Sequence, residues 1–268
     1  MTGVRYTALV LAGRRGGEED PVAALGRCSH KCLIPIAGQA MLARVLRALA
    51  QSESVGAMAI SIDDAAVLEG SAEIAALIER HDIALIASAA TPSLSVARAI
   101  DVLGKPWPVL ATTADVPLLT PEMVDHFCAR ARTIDGDIVV GLAAASVVLD
   151  RYPDATRTFL RFRGGRYTGC NLFALKTARA MEAVTFWARV ESDRKRPWRL
   201  FKSFGPLAML RFLAGGATLE AALGAASKRL GLSAAAVAMP FAEAAIDVDK
   251  PADMKLVESI INKRGDTG

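Results

Sequence analysis

Three stretches of this 268-residue chain carry side chains whose types and spacing suit chemistry on anions. Residues 11–20 read L-A-G-R-R-G-G-E-E-D, which puts Gly13, Gly16 and Gly17 in one loop with Arg14 and Arg15. Glycines let backbone amides approach phosphate oxygens, and a guanidinium offers them a bidentate charge. The loop has neither the Gly-Lys-Ser/Thr of a Walker loop nor the spacing of G-x-G-x-x-G, so taken alone it is equally readable as a solvated turn. Residues 30–42 read H-K-C-L-I-P-I-A-G-Q-A-M-L. A lysine directly before a strand-like 33–36, then Gly38 and a helix, places the Lys31 ammonium at the sheet edge where the first loop also ends. The third stretch, Arg194-Lys195-Arg196-Pro197-Trp198-Arg199, concentrates cationic charge in the second half.

The first two stretches together resemble the nucleotidyltransferase signature L-A-G-G-x-G-x-R followed by K-x-L-x-P-x-x-G-x-P-L/M-L. Two more segments strengthen the likeness: residues 113–121, T-A-D-V-P-L-L-T-P, and residues 247–254, D-V-D-K-P-A-D-M. On these four segments, in order over about 7–257, the chain is identified as similar to the MobA-like nucleotidyltransferases, relatives of the sugar-1-phosphate nucleotidyltransferases. The resemblance implies a GT-A-like, Rossmann-type fold and an Mg²⁺ site in which Asp115 and one of Asp247 and Asp249 are ligands. It also implies Leu11, Ala12, Gly13, Arg14, Arg15, Gly16, Gly17 and Lys31 around the nucleotide, with Ser93 and Ser95 near the base. Ser93 and Ser95 are equally explained as helix caps. Thr168, Gly169 and Asn171, in R-Y-T-G-C-N-L-F, resemble the acceptor-side strand, a turn role being the alternative. Two departures stand out. Arg14 replaces the usual second glycine, which leaves open whether Arg14 or Arg15 grips the triphosphate, and Lys250 replaces a threonine.

Physical chemistry supports the same constellation. Nucleotidyl transfer sets the α-phosphorus of a nucleoside triphosphate between an attacking phosphate oxygen and a leaving pyrophosphate, so several negative charges must be neutralised with the reactants held in line. Paired carboxylates on Mg²⁺, Lys31 on the α-phosphate and an arginine on the β/γ end do this. A phosphomonoester with a second pKa of about 6 is mostly dianionic at neutral pH and attacks without a general base. His30, His81 and His126 therefore need no catalytic role. The resemblance implies a reaction that joins a nucleotide, CTP ahead of GTP or UTP on that likeness alone, to a phosphorylated small molecule such as a sugar or inositol phosphate. The alternatives are a molybdenum cofactor cytidylyl- or guanylyltransferase, a GT-A-type glycosyltransferase and a non-catalytic nucleotide-binding protein.

Charge locates the third stretch. The chain's net +4 comes from 32 basic and 28 acidic residues, and residues 189–202 alone hold six basic against two acidic side chains. The remainder is neutral, so the broad basic field of a nucleic-acid binder is absent and one patch remains. Lys195, Arg196 and Arg199 are candidates for the acceptor's phosphate. A solvated or core-packed segment is the alternative, as is a peripheral membrane or homodimer contact through 194–213, where aromatic and aliphatic residues follow the charges.

The elements that must position these residues alternate. Strands are expected at 7–12, 57–62, 83–87, 109–113 and 138–142, separated by helical stripes such as Leu42, Val45, Leu46 and Leu49. Thr120-Pro121-Glu122 caps and opens a helix. A hairpin follows across 157–175, Thr218 caps a helix that stops at Gly231, a strand covers 236–240, and Pro251 starts a terminal helix. The expected architecture is α/β, a Rossmann-like (GT-A-like) three-layer sandwich with a mixed, mostly parallel sheet and an elaborated C-terminal half. It is read as one domain, 1–268: a nucleotide-binding half 1–145, an acceptor-side elaboration 146–245, and the metal motif with the terminal helix 246–264. Four cysteines at Cys28, Cys32, Cys128 and Cys170 are read as reduced, with no second Cys or His pair at zinc spacing. The run 7–13 is short and followed by arginines, unlike a signal peptide, and the apolar run 138–149 stops short of the roughly 18 residues of a membrane span. A cytoplasmic enzyme is expected.

Overall fold

The computed structural model describes residues 4–14, 21–26, 28–192 and 216–265. In chain order the strands are β1 (Tyr6–Leu11), β2 (Pro35–Ile36), β3 (Gln39–Ala40), β4 (Val55–Ile62), β5 (Ala84–Ala87), β6 (Val109–Thr113), β7 (Ile138–Ala144), β8 (Leu160–Phe162), β9 (Gly165–Leu175) and β10 (Ala234–Ala238). The helices are α1 (Pro21–Leu25), α2 (Met41–Gln51), α3 (Ala72–His81), α4 (Pro92–Val102), α5 (Pro121–Thr133), α6 (Ala145–Arg151), α7 (Ala180–Ser192), α8 (Leu219–Leu230) and α9 (Pro251–Gly265).

The main sheet runs β10-β7-β9-β6-β1-β4-β5, with β8 paired to β9. The pairs β1–β4, β1–β6, β4–β5 and β7–β10 are parallel, and every pair that β9 makes is antiparallel. This is the mixed, mostly parallel sheet expected from the alternating elements. Strand β1 shows why the sheet is covered on both sides. Tyr6, Ala8 and Val10 join the core under α2, α3 and α5, while Leu9 turns to the core under α4 and α7. A strand buried on both faces reads as a continuous apolar run, as this one does. The α2 stripe Leu42, Val45, Leu46 and Leu49 is wholly buried, and each such side chain contributes roughly 1.5–3 kcal/mol.

Local signals set the helix starts. Thr120 accepts a hydrogen bond from the Met123 amide with Pro121 in the first turn, and Thr218 does the same for Ala221 while Gly231 closes α8 in the left-handed conformation. Two expectations are corrected. Residues 33–36 do not form one strand: Lys31–Leu33 is a 3-10 turn and only Pro35–Ile36 is extended, because the Leu33 and Ile34 amides bond back to His30 and Lys31. The α8 stripe Leu219, Ala222, Leu223, Ala226 and Leu230 faces inward but is only half-buried.

From β1 the chain moves outward to β4 and β5 and then returns to β6 on the other side of β1. In open α/β sheets such a reversal opens a crevice at the carboxyl ends of the strands, where ligands bind. Loops 12–14, 63–64, 88–91 and 114–120 leave the sheet at that edge.

Candidate active site

At this edge the Lys31 ammonium donates to Asp115 Oδ2 at 2.8 Å and to Asp249 Oδ1 at 2.9 Å. The 3-10 turn presents the lysine while its neighbour Cys32 is buried as the anchor. Asp115 comes from the end of β6: the Ala114 amide extends the β1–β6 pairing onto Leu11 at 3.0 Å, and the Thr113 hydroxyl donates to Asp115 Oδ1 at 2.6 Å. The main chain of Asp115 also accepts from the Val248 amide at 2.9 Å, which brings the 247–249 turn alongside. Burial works against the Lys31 charge, but Asp115 and then Asp249 outweigh it and raise its pKa above the ordinary lysine value. The lysine is thus held charged.

Asp247 and Asp249, both carried forward from the sequence, have different surroundings. Arg157 Nη1 donates to the Asp247 carboxylate, and its Nη2 donates to the Asp247 main-chain oxygen at 2.6 Å and to Asp253 Oδ1 at 3.1 Å. The Asn171 amide nitrogen donates to Asp247 Oδ2 at 3.0 Å. Burial raises the Asp247 pKa; Arg157 pulls it down, and the like charges of Asp115 and Asp249 push it up again. Asp253, itself buried, accepts the amides of Asp249 and Lys250 at 3.0 and 2.9 Å and so ties the turn to the start of α9.

Asn171 reaches Asp247 because of a backbone irregularity. Between the pairs Val140–Phe173 and Leu142–Gly169 the β7–β9 register shifts, and Asn171 sits there at φ +50°. Asparagine tolerates the left-handed region, and a bulge re-aims a side chain out of the ladder. Thr168 and Gly169 lie earlier on β9, opposite Ala143 and Leu142.

On the other side of Lys31, the first loop turns back on the end of β4. Arg14 donates through its amide and its Nε to the two Asp63 oxygens, both at 2.9 Å. Buried His30 lies between Ser29 Oγ at 3.0 Å and Asp63 Oδ1 at 3.2 Å. Part-burial disfavours the Asp63 charge, but the Arg14 amide and guanidinium hold its carboxyl below the ordinary value. Gly13 packs against Ser88, and a Cβ there would lie 2.8 Å from Ser88 Oγ. A cleft of about 330 Å³, its open mouth included, lies beside this loop and is lined by Leu11, Gly13, Arg14, Ser61, 88–92 and Ser95. Ser95 faces that cleft but is buried, its hydroxyl engaged by the Ala89 amide at 2.8 Å and the Thr91 carbonyl at 2.9 Å. The cap of α4 is Thr91, while Ser93 donates through its amide and hydroxyl to Glu191 at 3.1 and 3.0 Å.

The structure therefore gathers Lys31, Asp115, Asn171, Asp247 and Asp249, and sets Leu11, Ala12, Gly13 and Arg14 beside the cleft. Arg15, Gly16, Gly17, Lys195, Arg196, Arg199 and the rest of 194–213 lie outside the described residues. Sequence reasoning missed Arg157, Asp63 and Asp253. Asp63 follows the end of a parallel strand, where ligand sites collect, and Asp253 is the third acid of D-V-D-K-P-A-D-M. Arg157 has no local signature. Among the described residues no three acidic, His or Cys side chains form a ready-made metal cluster, and no helix is long and apolar enough to cross a membrane. All four cysteines are free thiols. The carboxylates nevertheless fit Mg²⁺, a hard cation that keeps several waters and needs only one or two carboxylates beside substrate phosphates.

The model of the MobA-like NTP transferase domain matches residues 8–164. A solved structure of a hypothetical transferase from Thermus thermophilus is similar, with 27% identity, a TM-score of 0.76 and coverage of 94% of this chain and 100% of that one. A 4-diphosphocytidyl-2C-methyl-D-erythritol synthase from Anaerococcus prevotii shares 12% identity at a TM-score of 0.59, covering 97% of this chain and 99% of its own. A CMP:2-keto-3-deoxy-manno-octonic acid synthetase solved with CTP shares 15% at 0.53, with the same 97% and 99% coverage. The likeness to these last two is one of fold. No sequence among the curated proteins matches the chain.

Proposed function

The chain belongs to the MobA-like NTP transferase family and is a nucleotidyltransferase, and from that premise we propose that it transfers a nucleoside monophosphate to a phosphorylated small molecule. The donor is a nucleoside triphosphate, CTP favoured, and the acceptor a sugar or polyol phosphate such as inositol phosphate. The observation that carries this reading is Lys31 held charged between Asp115 and Asp249 at the carboxyl edge of the sheet.

In the proposed step an acceptor phosphate oxygen bonds to the α-phosphorus, the bond from that phosphorus to the β-bridging oxygen breaks, and pyrophosphate leaves with the electron pair. Lys31 turns from the carboxylates to the α-phosphate, where negative charge is greatest in the transition state. Arg14, whose guanidinium already stands at the loop, or Arg15 takes the β/γ end. Asp115 with Asp247 or Asp249 would hold Mg²⁺, which supplies charge neutralisation across the phosphates. Asn171 and Arg157 keep Asp247 in place. Two of the similar folds carry cytidylyl chemistry in their names, one of them holding CTP, which supports CTP as the donor.

Purified protein incubated with Mg²⁺, each of four nucleoside triphosphates and a panel of sugar, polyol and pterin phosphates is expected to release pyrophosphate with one pairing. Release of a nucleoside diphosphate from a nucleotide sugar in its place would assign a glycosyltransferase, and a folded sample that releases nothing would overturn the proposal.

A further inference from the structure

We propose that the Ser61 hydroxyl reads the nucleobase: from the floor of the cleft it hydrogen-bonds the polar edge of the base and thereby sets which triphosphate is preferred. The inference rests on the nucleotidyl-transfer reading and assigns a specificity-determining residue to it.

Ser61 lies near the end of β4, paired with Leu11 on one side and Ile86 on the other, and its carbonyl accepts from the Ala12 amide at 2.9 Å. Its backbone is therefore rigid. The alternation of the strand sends Ile60 and Ile62 to the α2 and α3 side, while Ala59 belongs to the opposite core under α4. Ser61 shares the Ala59 face and ends that apolar layer with a hydroxyl. It is 1% exposed, and its Oγ has no hydrogen-bond partner among the described residues. Of the two buried strand hydroxyls without a partner among the described residues, those of Ser61 and Thr112, only Ser61 belongs to the lining of the cleft. Ser95, the other buried hydroxyl there, is already engaged by backbone.

A buried hydroxyl without a partner is costly, and alanine would end an apolar layer with no such penalty. A ligand atom removes the penalty. Arg14, proposed above for the β/γ end of the triphosphate, lines one side of the cleft, so the nucleoside end enters the remainder. A hydroxyl both donates and accepts, which suits the mixed donor and acceptor edge of a base.

Binding of CTP, UTP, GTP and ATP to the wild type, Ser61→Ala and Ser61→Cys, by calorimetry, tests this, because the four share a ribose and differ in the base. For Ser61→Ala the tightest triphosphate is expected to weaken about 5-fold to 10-fold, the others by less than about 2-fold, with the ligand-free melting temperature not lowered. Ser61→Cys, which keeps the volume and donates weakly, is expected to follow. Equal weakening of all four would place the contact on the ribose and overturn the inference, as would unchanged binding of all four. A wild type that binds no triphosphate would instead bring down the proposed function, and this inference with it.

Discussion

Arg157 holds Asp247 at two points from 90 residues away in sequence, Nη1 on the carboxylate and Nη2 on the main-chain oxygen at 2.6 Å. The same Nη2 reaches Asp253, which takes the amides of Asp249 and Lys250. The turn that carries Asp247 and Asp249 is thus one hydrogen-bonded unit built around a buried guanidinium, its side chain 8% exposed.

Arg157→Ala leaves the Asp247 and Asp253 carboxylates uncompensated in a poorly solvated site. Breaking a buried ion pair from one side costs about 3–5 kcal/mol, and urea unfolding is expected to show a loss of that order. Arg157→Lys restores the charge without the fork and is expected to recover only part of it. A variant as stable as the wild type would mean that the unit does not hold the turn.

Lys31→Ala removes the cation between Asp115 and Asp249. If Lys31 meets developing charge on the α-phosphate, kcat falls by about 100-fold to 1000-fold while circular dichroism is unchanged. Lys31→Arg is not expected to rescue, because the planar fork cannot occupy a point-charge position.

Gly13→Ala sets a Cβ 2.8 Å from Ser88 Oγ and 3.0 Å from Ser88 Cβ. The loop bearing Arg14 must move, and a misplacement of this size is expected to lower kcat/KM by about 10-fold to 100-fold. Ser88→Gly in the same chain opens the space, so the double variant is expected to regain activity. If it does not, the close approach is not what requires glycine.

Asp125 joins α5 to the start of β4, accepting from Ser52 Oγ at 2.7 Å and the Ser54 amide at 2.9 Å. Part-burial opposes its charge, but the Ser52 and Ser54 bonds hold its pKa below the ordinary 3.8. Below that value the unfolded chain binds the proton first, so stability from Asp125 is fully present above the unfolded pKa and is lost as pH falls through the folded one. Asp125→Asn is expected to be less stable than the wild type by about 1–2 kcal/mol at pH 7, with the gap closing as acid is added beyond pH 3.8. A gap independent of pH would remove the carboxylate from the account.

Burial pushes the thiols of Cys32, Cys128 and Cys170 up to about 12, while Cys28 is part-exposed. Thiolate is the reactive form, so a disulfide reagent at pH 8 is expected to titrate one thiol per native chain quickly and four after denaturation. Fast reaction of more than one native thiol would contradict this.

Lys31 was legible because it directly precedes a short apolar run, and Asp115 because the segment T-A-D-V-P-L-L-T-P around it resembles one of the family's. The strands around β1 and the cap of α5 were legible because alternation and N-cap chemistry are local. The 3-10 turn at Lys31–Leu33 was missed because a short apolar run reads alike in strand and turn until its hydrogen bonds are known.

By itself, then, the sequence determined the layered α/β architecture, because hydrophobic period and capping depend on neighbours in the chain, while only the likeness of four segments to a family implied that Lys31, Asp115 and Asp247 or Asp249 belong to one site. Which aspartate meets which cation was decided only in three dimensions. Asp249 faces Lys31, whereas Asp247 faces Arg157 and Asn171, and Asp63 closes on Arg14 across 49 positions. Such pairings rest on strand register, on a bulge that turns Asn171 inward and on chain segments that share no local pattern, and charge attraction acts on distance in space without regard to separation along the chain.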